Sequence, residues 1–180
     1  MKNNTSCAVL LAAFNGEDWI EEQIESILNQ KNIDVHIYVS LDISSDSTIE
    51  ILNKIIDKDK RVILLPYGEK FGNAAKNFYR LIKDVDFSNY DFISFSDQDD
   101  IWKENKLENS CKAIREKNCD GFSSNVLAFW PNGKIKLIKK SQPQVKYDYF
   151  FESAGPGCSY VIKADLALNL KKFILDNYTI

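Results

Sequence analysis

Residues 92–102 read Phe92-Ile93-Ser94-Phe95-Ser96-Asp97-Gln98-Asp99-Asp100-Ile101-Trp102. A short apolar run breaks there into a dense acidic turn. The run 91–96 predicts a strand, and Asp97-Gln98-Asp99-Asp100 predicts the loop leaving its carboxyl end. Upstream, residues 7–13 form a continuous apolar run without alternation, as a strand covered on both faces does. Asn15-Gly16 ends it. Trp19, Ile20, Ile24, Ile27 and Leu28 then recur at helical spacing and predict a helix over 19–30. Residues 35–41 predict a second strand. Asp42-Ile43-Ser44-Ser45-Asp46-Ser47 is a loop rich in capping residues, before a helix over 48–56. Residues 62–65 predict a third strand, closed by Pro66. Phe71-Gly72-Asn73 opens a helix to about Lys83. Downstream of the acidic loop, 102–117 predicts a further helix, with Asp100 as its cap.

Strand and helix thus alternate four times, which argues an α/β fold with a parallel sheet and helices on both faces. In such sheets ligands sit beyond the carboxyl ends of the strands. The loops after the first, second and fourth strands therefore emerge on one edge. After residue 120 the pattern loosens. Residues 121–129 and 134–139 predict two strands joined at Pro131-Asn132-Gly133, a strong hairpin signal. Residues 147–153 are aromatic-rich, Ala154-Gly155-Pro156-Gly157 is a loop, 159–162 predicts a strand, and Asp165 is expected to cap a helix reaching Leu175.

The 180 residues suit one domain, and 44% hydrophobic content suffices for a core. A net charge of −3 with no basic patch argues against nucleic acid as a partner. Lys139-Lys140 and Lys171-Lys172 are too short for a membrane-surface cluster. Cys7, Cys111, Cys119 and Cys158 form no Cys-x-x-Cys pair and His36 stands alone, so a zinc site is not expected and a reducing cytoplasm is. The 7–14 run follows only Lys2 and leads straight into Asn15-Gly16-Glu17-Asp18, which favours a strand over a leader. No stretch approaches the ~20 apolar residues of a membrane span.

Asp97 and Asp99 are two apart, so in extended chain they point the same way. They can share one hard divalent cation, Mg2+ or Mn2+, whose remaining positions a substrate's phosphates fill. Such a cation neutralises charge on a diphosphate leaving group.

Four segments carry a resemblance in order and spacing: Leu10-Leu11-Ala12-Ala13-Phe14-Asn15-Gly16, Ser26-Ile27-Leu28-Asn29-Gln30, Asp42-Ile43-Ser44-Ser45-Asp46-Ser47-Thr48, and residues 96–102. Together they resemble the family 2 glycosyltransferases of GT-A fold, most closely the bacterial members that resemble rhamnosyltransferases, over residues 7–165. The resemblance implies a Rossmann-like three-layer sandwich with a mostly parallel central sheet. It implies a single domain over 1–180, with a nucleotide-sugar-binding half (1–120) and a partial acceptor-side half (121–180).

Site roles follow from the resemblance. Ala12, Phe14 and Asn15 stand where the family's Thr-Tyr-Asn stretch lines the nucleotide pocket, and Phe14 flanks the base. Asp42 matches the second Asp of the family's Asp-Asp-Gly-Ser and hydrogen-bonds the pyrimidine. Leu41 and Ile43 depart from that motif, and a loop cap on Ser44 or Ser45 is the alternative for Asp42. Asp97, Gln98 and Asp99 match Asp-x-Asp, with Asp97 at the ribose or sugar and Asp99 on the metal. Lys76 stands where members place a basic residue facing the donor. Trp102 is read as packing. Gly157 and Cys158 resemble an acceptor-side Gly-Cys loop.

The implied donor is a UDP- or dTDP-sugar. The implied acceptor is a glycan or lipid-linked glycan of surface polysaccharide, met in the cytoplasm or at the inner face of the membrane. An inverting transfer also needs a general base. In the resembling subgroup it is an Asp in a His-Asp-Trp-like motif, which this sequence lacks. The base is therefore expected beyond Ile180, with Glu152 the substitute within the chain. Three other readings compete. They are a binding module without turnover, a Mg2+-dependent phosphatase using Asp97 and Asp99, and a sugar nucleotidyltransferase. The phosphatase's motif normally opens its fold's first strand. The nucleotidyltransferase needs a Gly-rich, Arg-containing loop after strand one, and residues 12–18 hold one Gly and no Arg.

Overall fold

A computed structural model describes residues 5–140, 145–147, 150, 153 and 155–178. Strand and helix alternate as expected through β1 (Thr5–Ala13), α1 (Ile20–Leu28), β2 (Ile33–Leu41), α2 (Thr48–Lys58), β3 (Val62–Leu64), α3 (Ala74–Asp84), β4 (Phe92–Ser96) and α4 (Lys106–Lys117). Then come β5 (Gly121–Phe122), β6 (Val126–Phe129), β7 (Ile135–Ile138), β8 (Val161–Lys163) and α5 (Ala164–Asn177). Six strands form one sheet in the order β3-β2-β1-β4-β8-β5, and β6 pairs with β7 as a separate hairpin. β3, β2, β1 and β4 are parallel, while β8 runs antiparallel to β4 and β5.

β1 shows why the unalternating apolar run is a strand. Cys7, Val9, Leu11 and Ala13 enter one core with Ile20, Ile24 and Ile27 of α1, Leu52 of α2 and Leu107 and Ile114 of α4. Ala8, Leu10 and Ala12 enter a second core with Leu81 and Ile82 of α3 and Ala167 and Ile174 of α5. Helices on both faces thus give the three-layer sandwich. Ala12 therefore packs against the α3 and α5 side, and the pocket-lining position expected for it goes to core packing instead.

Several expectations are corrected. α4 begins at Lys106, not Trp102, after Asn105. The entry to α4 is fastened to α1 and to the turn after it. Trp102 N–H donates to Ser26 Oγ at 3.0 Å, Leu107 N–H to Gln30 Oε1 at 2.9 Å, and Gln30 Nε2 to the Lys103 carbonyl at 2.9 Å. The expected 121–129 strand is split, with β5 in the main sheet and β6 in the hairpin. Its turn forms as expected: Gly133 N–H donates to the Trp130 carbonyl at 2.9 Å, and Gly133 takes φ 79°. Residues 157–159 make a single 3-10 turn before β8. Asp165 lies in the first turn of α5, and the residue preceding that helix is Lys163, without a side-chain cap.

The topology puts β1 beside β4 where the strand order reverses, the switch point of an open α/β sheet. β1 and β2 end level, with Ala13 opposite Leu41, and Ser96 of β4 stands beside Leu11. Buried Asn77 of α3 holds the ends together. Its Nδ2 donates to the Ala13 carbonyl at 3.2 Å and the Ser40 carbonyl at 3.0 Å. Asn77→Leu leaves both carbonyls buried without that donor. Urea denaturation is expected to show a loss on the order of 2 kcal/mol, and an unchanged midpoint contradicts the assignment.

Candidate functional site

The loops after β1, β2 and β4 meet at one edge through hydrogen bonds, not apolar packing. Phe14 N–H donates to Gln98 Oε1 at 2.8 Å, and Gln98 Nε2 returns a bond to the Phe14 carbonyl at 2.9 Å. Gly16 makes room for this latch, because a Cβ there would come within 2.5 Å of Gln98 Oε1. Asn15 takes φ 46°, a left-handed conformation that Asn tolerates better than most residues. Its N–H donates to Ser44 Oγ at 3.0 Å and its Oδ1 accepts from Ser45 N–H at 2.9 Å. Gly16 N–H donates to Thr48 Oγ1 at 2.7 Å, and Glu17 N–H to Asp46 Oδ2 at 3.1 Å. Phe14 itself is 52% exposed, an aromatic face open at the sheet edge.

Asp42 is 5% exposed. Its Oδ1 accepts from Ile43 and Phe71 N–H, each at 2.9 Å, and its Oδ2 from Gly72 N–H at 2.7 Å. No side chain or amide of Ser44 or Ser45 reaches this carboxylate. Ser44 Oγ donates to the Asp42 main-chain carbonyl at 2.9 Å. The carboxylate thus clamps the segment between β3 and α3 against the end of β2. Gly72 at φ 74° turns the chain there. Arg80 braces the same segment by donating to the Pro66 carbonyl and to Ser40 Oγ. Tyr67 joins it to the β2 loop by accepting from Ser44 N–H at 3.2 Å.

On the acidic side, α1 fixes the end of β4. Buried Gln23 Nε2 donates to Ser96 Oγ at 2.7 Å, and Ser96 Oγ donates to the Asp97 carbonyl at 2.8 Å. Beyond that point Asp97, Asp100 and Cys158 converge, with ligand atoms all within 4.8 Å of one another. Asp99 is exposed and stands outside that trio. Asp100 is therefore a member of the cluster, not the cap of α4. Burial, then the charges of Asp100 and Asp99, hold the Asp97 carboxyl above the ordinary carboxylate range. Burial and a hydrogen bond to Asp100 push the Cys158 thiol up to about 12. Cys158 accordingly enters as a donor to Asp100. Gly157 lies beside Asp97, where an added Cβ would stand 3.8 Å from Oδ2.

Of the residues expected from the sequence, Phe14, Asn15, Asp42, Asp97, Gln98, Gly157 and Cys158 come to this edge. Lys76 is exposed in the first turn of α3, where its N–H donates to Asn73 Oδ1 at 2.9 Å. Trp102 is buried, as a packing residue should be. Glu152 lies outside the described residues. Asp165 is remote, because β8 runs antiparallel and ends beside Phe92, at the opposite edge of β4. Sequence reasoning missed Asn77, Arg80 and Tyr67. A buried-side Asn and Arg on the apolar face of α3 was the available signal.

Three comparisons bear on this arrangement. Residues 8–155 match the family model described as glycosyl transferase family 2. The chain is 49% identical over 168 residues to the dTDP-rhamnosyl transferase RfbG of Shigella flexneri, covering 93% of this chain and 58% of that protein. It thus spans a little under three fifths of that curated relative. Among solved structures it superposes on S. aureus TarS in complex with UDP-GlcNAc with a TM-score of 0.67 at 17% identity, covering 92% of this chain and 47% of that one. With the mannosyltransferase PcManGT of Pyrobaculum calidifontis, in complex with GDP-Man and Mn2+, the TM-score is 0.66 at 15% identity, over 94% and 47% of the two chains. At such identities the structural likeness shows the fold alone, and that fold is GT-A.

Asp97 offers a test of the site's electrostatics. Its raised pKa means that the ionised carboxyl costs stability above that pKa and costs nothing once protonated. Asp97→Asn is therefore expected to melt at a higher temperature than the unaltered chain at pH 7. The gap should close as pH falls through the Asp97 pKa, and equal melting at pH 7 contradicts the assignment.

Proposed function

The chain belongs to glycosyl transferase family 2, and from that membership we propose that its sheet edge binds a nucleotide-diphosphate sugar for metal-dependent, inverting transfer to a glycan acceptor. The observation that carries the reading is the convergence of the acidic loop on the loops after β1 and β2, latched by Gln98 to Phe14. Residues 1–120 supply the donor half, and 121–180 contribute part of the acceptor side. A UDP- or dTDP-sugar is the donor class. The likeness to RfbG, whose name specifies dTDP-rhamnosyl transfer, supports dTDP-rhamnose. Surface polysaccharide is the proposed destination of the sugar.

Each residue takes a physical role in this proposal. Phe14 offers an exposed aromatic face to the base. Asp42 has three of its roughly four acceptor positions occupied by backbone N–H groups, so Oδ2 retains one for a pyrimidine N–H. The clamp on Phe71 and Gly72 sets the direction of that remaining lone pair. Asn15 and Gln98 fix the loops on which the nucleotide lies. Gly157 places the acceptor-side turn beside Asp97.

The acidic loop suits a Mg2+ or Mn2+ ion. The Asp97 and Asp100 carboxylate oxygens, within 4.8 Å of each other, match the spread of oxygens around a hard cation bound at about 2.0–2.6 Å. Asp97, Asp99 and Asp100 are the proposed oxygen donors. A bound cation would neutralise charge on the departing diphosphate.

Calorimetry with UDP and dTDP, with and without Mn2+, tests the reading. Binding is expected to weaken tenfold or more without Mn2+, and to be lost in Asp99→Ala and in Asp97→Asn. Metal-independent binding, or no nucleotide binding at all, overturns it.

A further inference from the structure

The β6–β7 hairpin stands apart from the main sheet, and its two faces differ. Opposed residues of an antiparallel pair share a face. Leu127 stands opposite Leu137 and Phe129 opposite Ile135, so these four side chains form one face. They are 42%, 55%, 60% and 66% exposed, in that order. On the other face Val126, Ala128 and Ile138 are half-buried. Trp130, at the turn, adds another exposed ring. A two-stranded hairpin is marginal in water by itself, and a contiguous apolar face turned outward marks a surface that a partner covers.

Charge identifies the partner. Residues 121–147 hold Lys134, Lys136, Lys139, Lys140 and Lys146, and none of the chain's 26 acidic side chains. The whole chain has a net charge of −3, so this cationic stretch is local. Lys134 stands at the turn, its ammonium 5.3 Å from the centroid of the Trp130 ring. Lys136 leaves β7 on the half-buried face, and Lys139 and Lys140 follow that strand at the hairpin's base. Among the described residues Lys134, Lys136 and Lys139 form no ion pair. Lys139-Lys140 is too short a cluster alone, but the hairpin joins it to two further lysines and an apolar face. A second copy seated on this face would set lysine against lysine. A bilayer with anionic headgroups takes up both features, the apolar side chains below its surface and the lysines above.

We propose that the β6–β7 hairpin docks the chain on an anionic phospholipid surface. Leu127, Phe129, Ile135 and Leu137 enter the boundary between headgroups and acyl chains, and Trp130 sits at the interface, where indole rings are favoured. The docking has a direction. Lys140 N–H closes the hairpin's base on Asn125 Oδ1 at 2.7 Å. Just before it, Ser123 packs against the turn at Gly155, where an added Cβ would stand 3.1 Å from Ser123 Cβ. The same turn carries Gly157 and Cys158 to the acidic loop. The bilayer is thereby brought to the side proposed for the acceptor. That placement rests on the reading of the site given above, whereas the docking itself does not.

Flotation with vesicles of phosphatidylcholine and phosphatidylglycerol tests the inference. The unaltered chain is expected to float with mixed vesicles, to stay behind with pure phosphatidylcholine, and to be released as salt rises. A lysine held near such a surface strengthens partition about fivefold, so Lys134→Gln with Lys139→Gln should weaken it at least tenfold. Phe129→Ser with Ile135→Ser should abolish it. Brominated lipid should quench Trp130 emission, and Trp130→Phe should remove the quenching while Trp19 and Trp102 still emit. That arm needs no change to the hairpin's apolar face, should the double serine variant fold poorly. Nucleotide affinity is expected to be unchanged in all of these variants, which separates this inference from the reading of the site. No uptake by mixed vesicles, equal uptake by neutral ones, or uptake unaffected by the hairpin variants overturns it. So does a dimer that the serine variant dissociates in the absence of vesicle binding, because a second copy then covers the face.

Discussion

Strand β1 is enclosed on every side. β2 and β4 bond to its two edges, and its alternate side chains enter two separate cores beneath opposite helix layers. An enclosed strand cannot slip by one residue without exchanging the two cores. That constraint sets where β1 ends, at Ala13, and so where Phe14, Asn15 and Gly16 begin. It also sets the heights of β2 and β4, and hence the relative positions of the Asp42 and Asp97 loops. Everything proposed for the sheet edge inherits its geometry from this registration.

Beyond the strand ends the cohesion changes in kind. Asn77 bridges the last carbonyls of β1 and β2, Gln98 latches the acidic loop to Phe14, and Asp42 clamps the segment that enters α3. Each is a polar side chain satisfying main-chain groups that the sheet no longer pairs. Such ties are directional, so they hold loops in one arrangement where apolar packing would permit several. The burden falls on the acidic loop. Asp97 and Asp100 stand close at the switch point, and their mutual repulsion is tolerated because Gln23, Ser96 and Gln98 hold the backbone beneath them. A site that holds like charges close in the absence of ligand trades stability for function.

The repeating strand and helix order was legible in the sequence because β1, β2 and β4 are apolar runs with turn residues after them. The convergence of three loops followed from that order alone. What escaped depended on long-range bonds. The start of α4 carries no local signal, since Ser26 and Gln30 bind residues 102–107 and the helix begins only at Lys106. Asp100 was read as a cap for the same reason, and its place beside Asp97 and Cys158 depends on a turn some sixty residues later. Ala12 was assigned by motif position to the pocket, yet strand alternation sends its side chain into a core. The antiparallel β8 is three residues long, and its partners are named by no pattern within it. Local chemistry thus shows which residues are unusual, and packing decides which of them meet.

The central claim is that the carboxyl edge between β1, β2 and β4 holds a nucleoside diphosphate through a cation on the acidic loop. Its most direct test is crystallography of the chain with Mn2+ and dTDP, with the ion located by anomalous scattering. The account predicts a manganese peak within about 2.0–2.6 Å of acidic-loop carboxylate oxygens and the diphosphate, with the base beside Phe14 and Asp42. Nucleotide bound elsewhere, or an acidic loop without manganese while the diphosphate is in place, contradicts it.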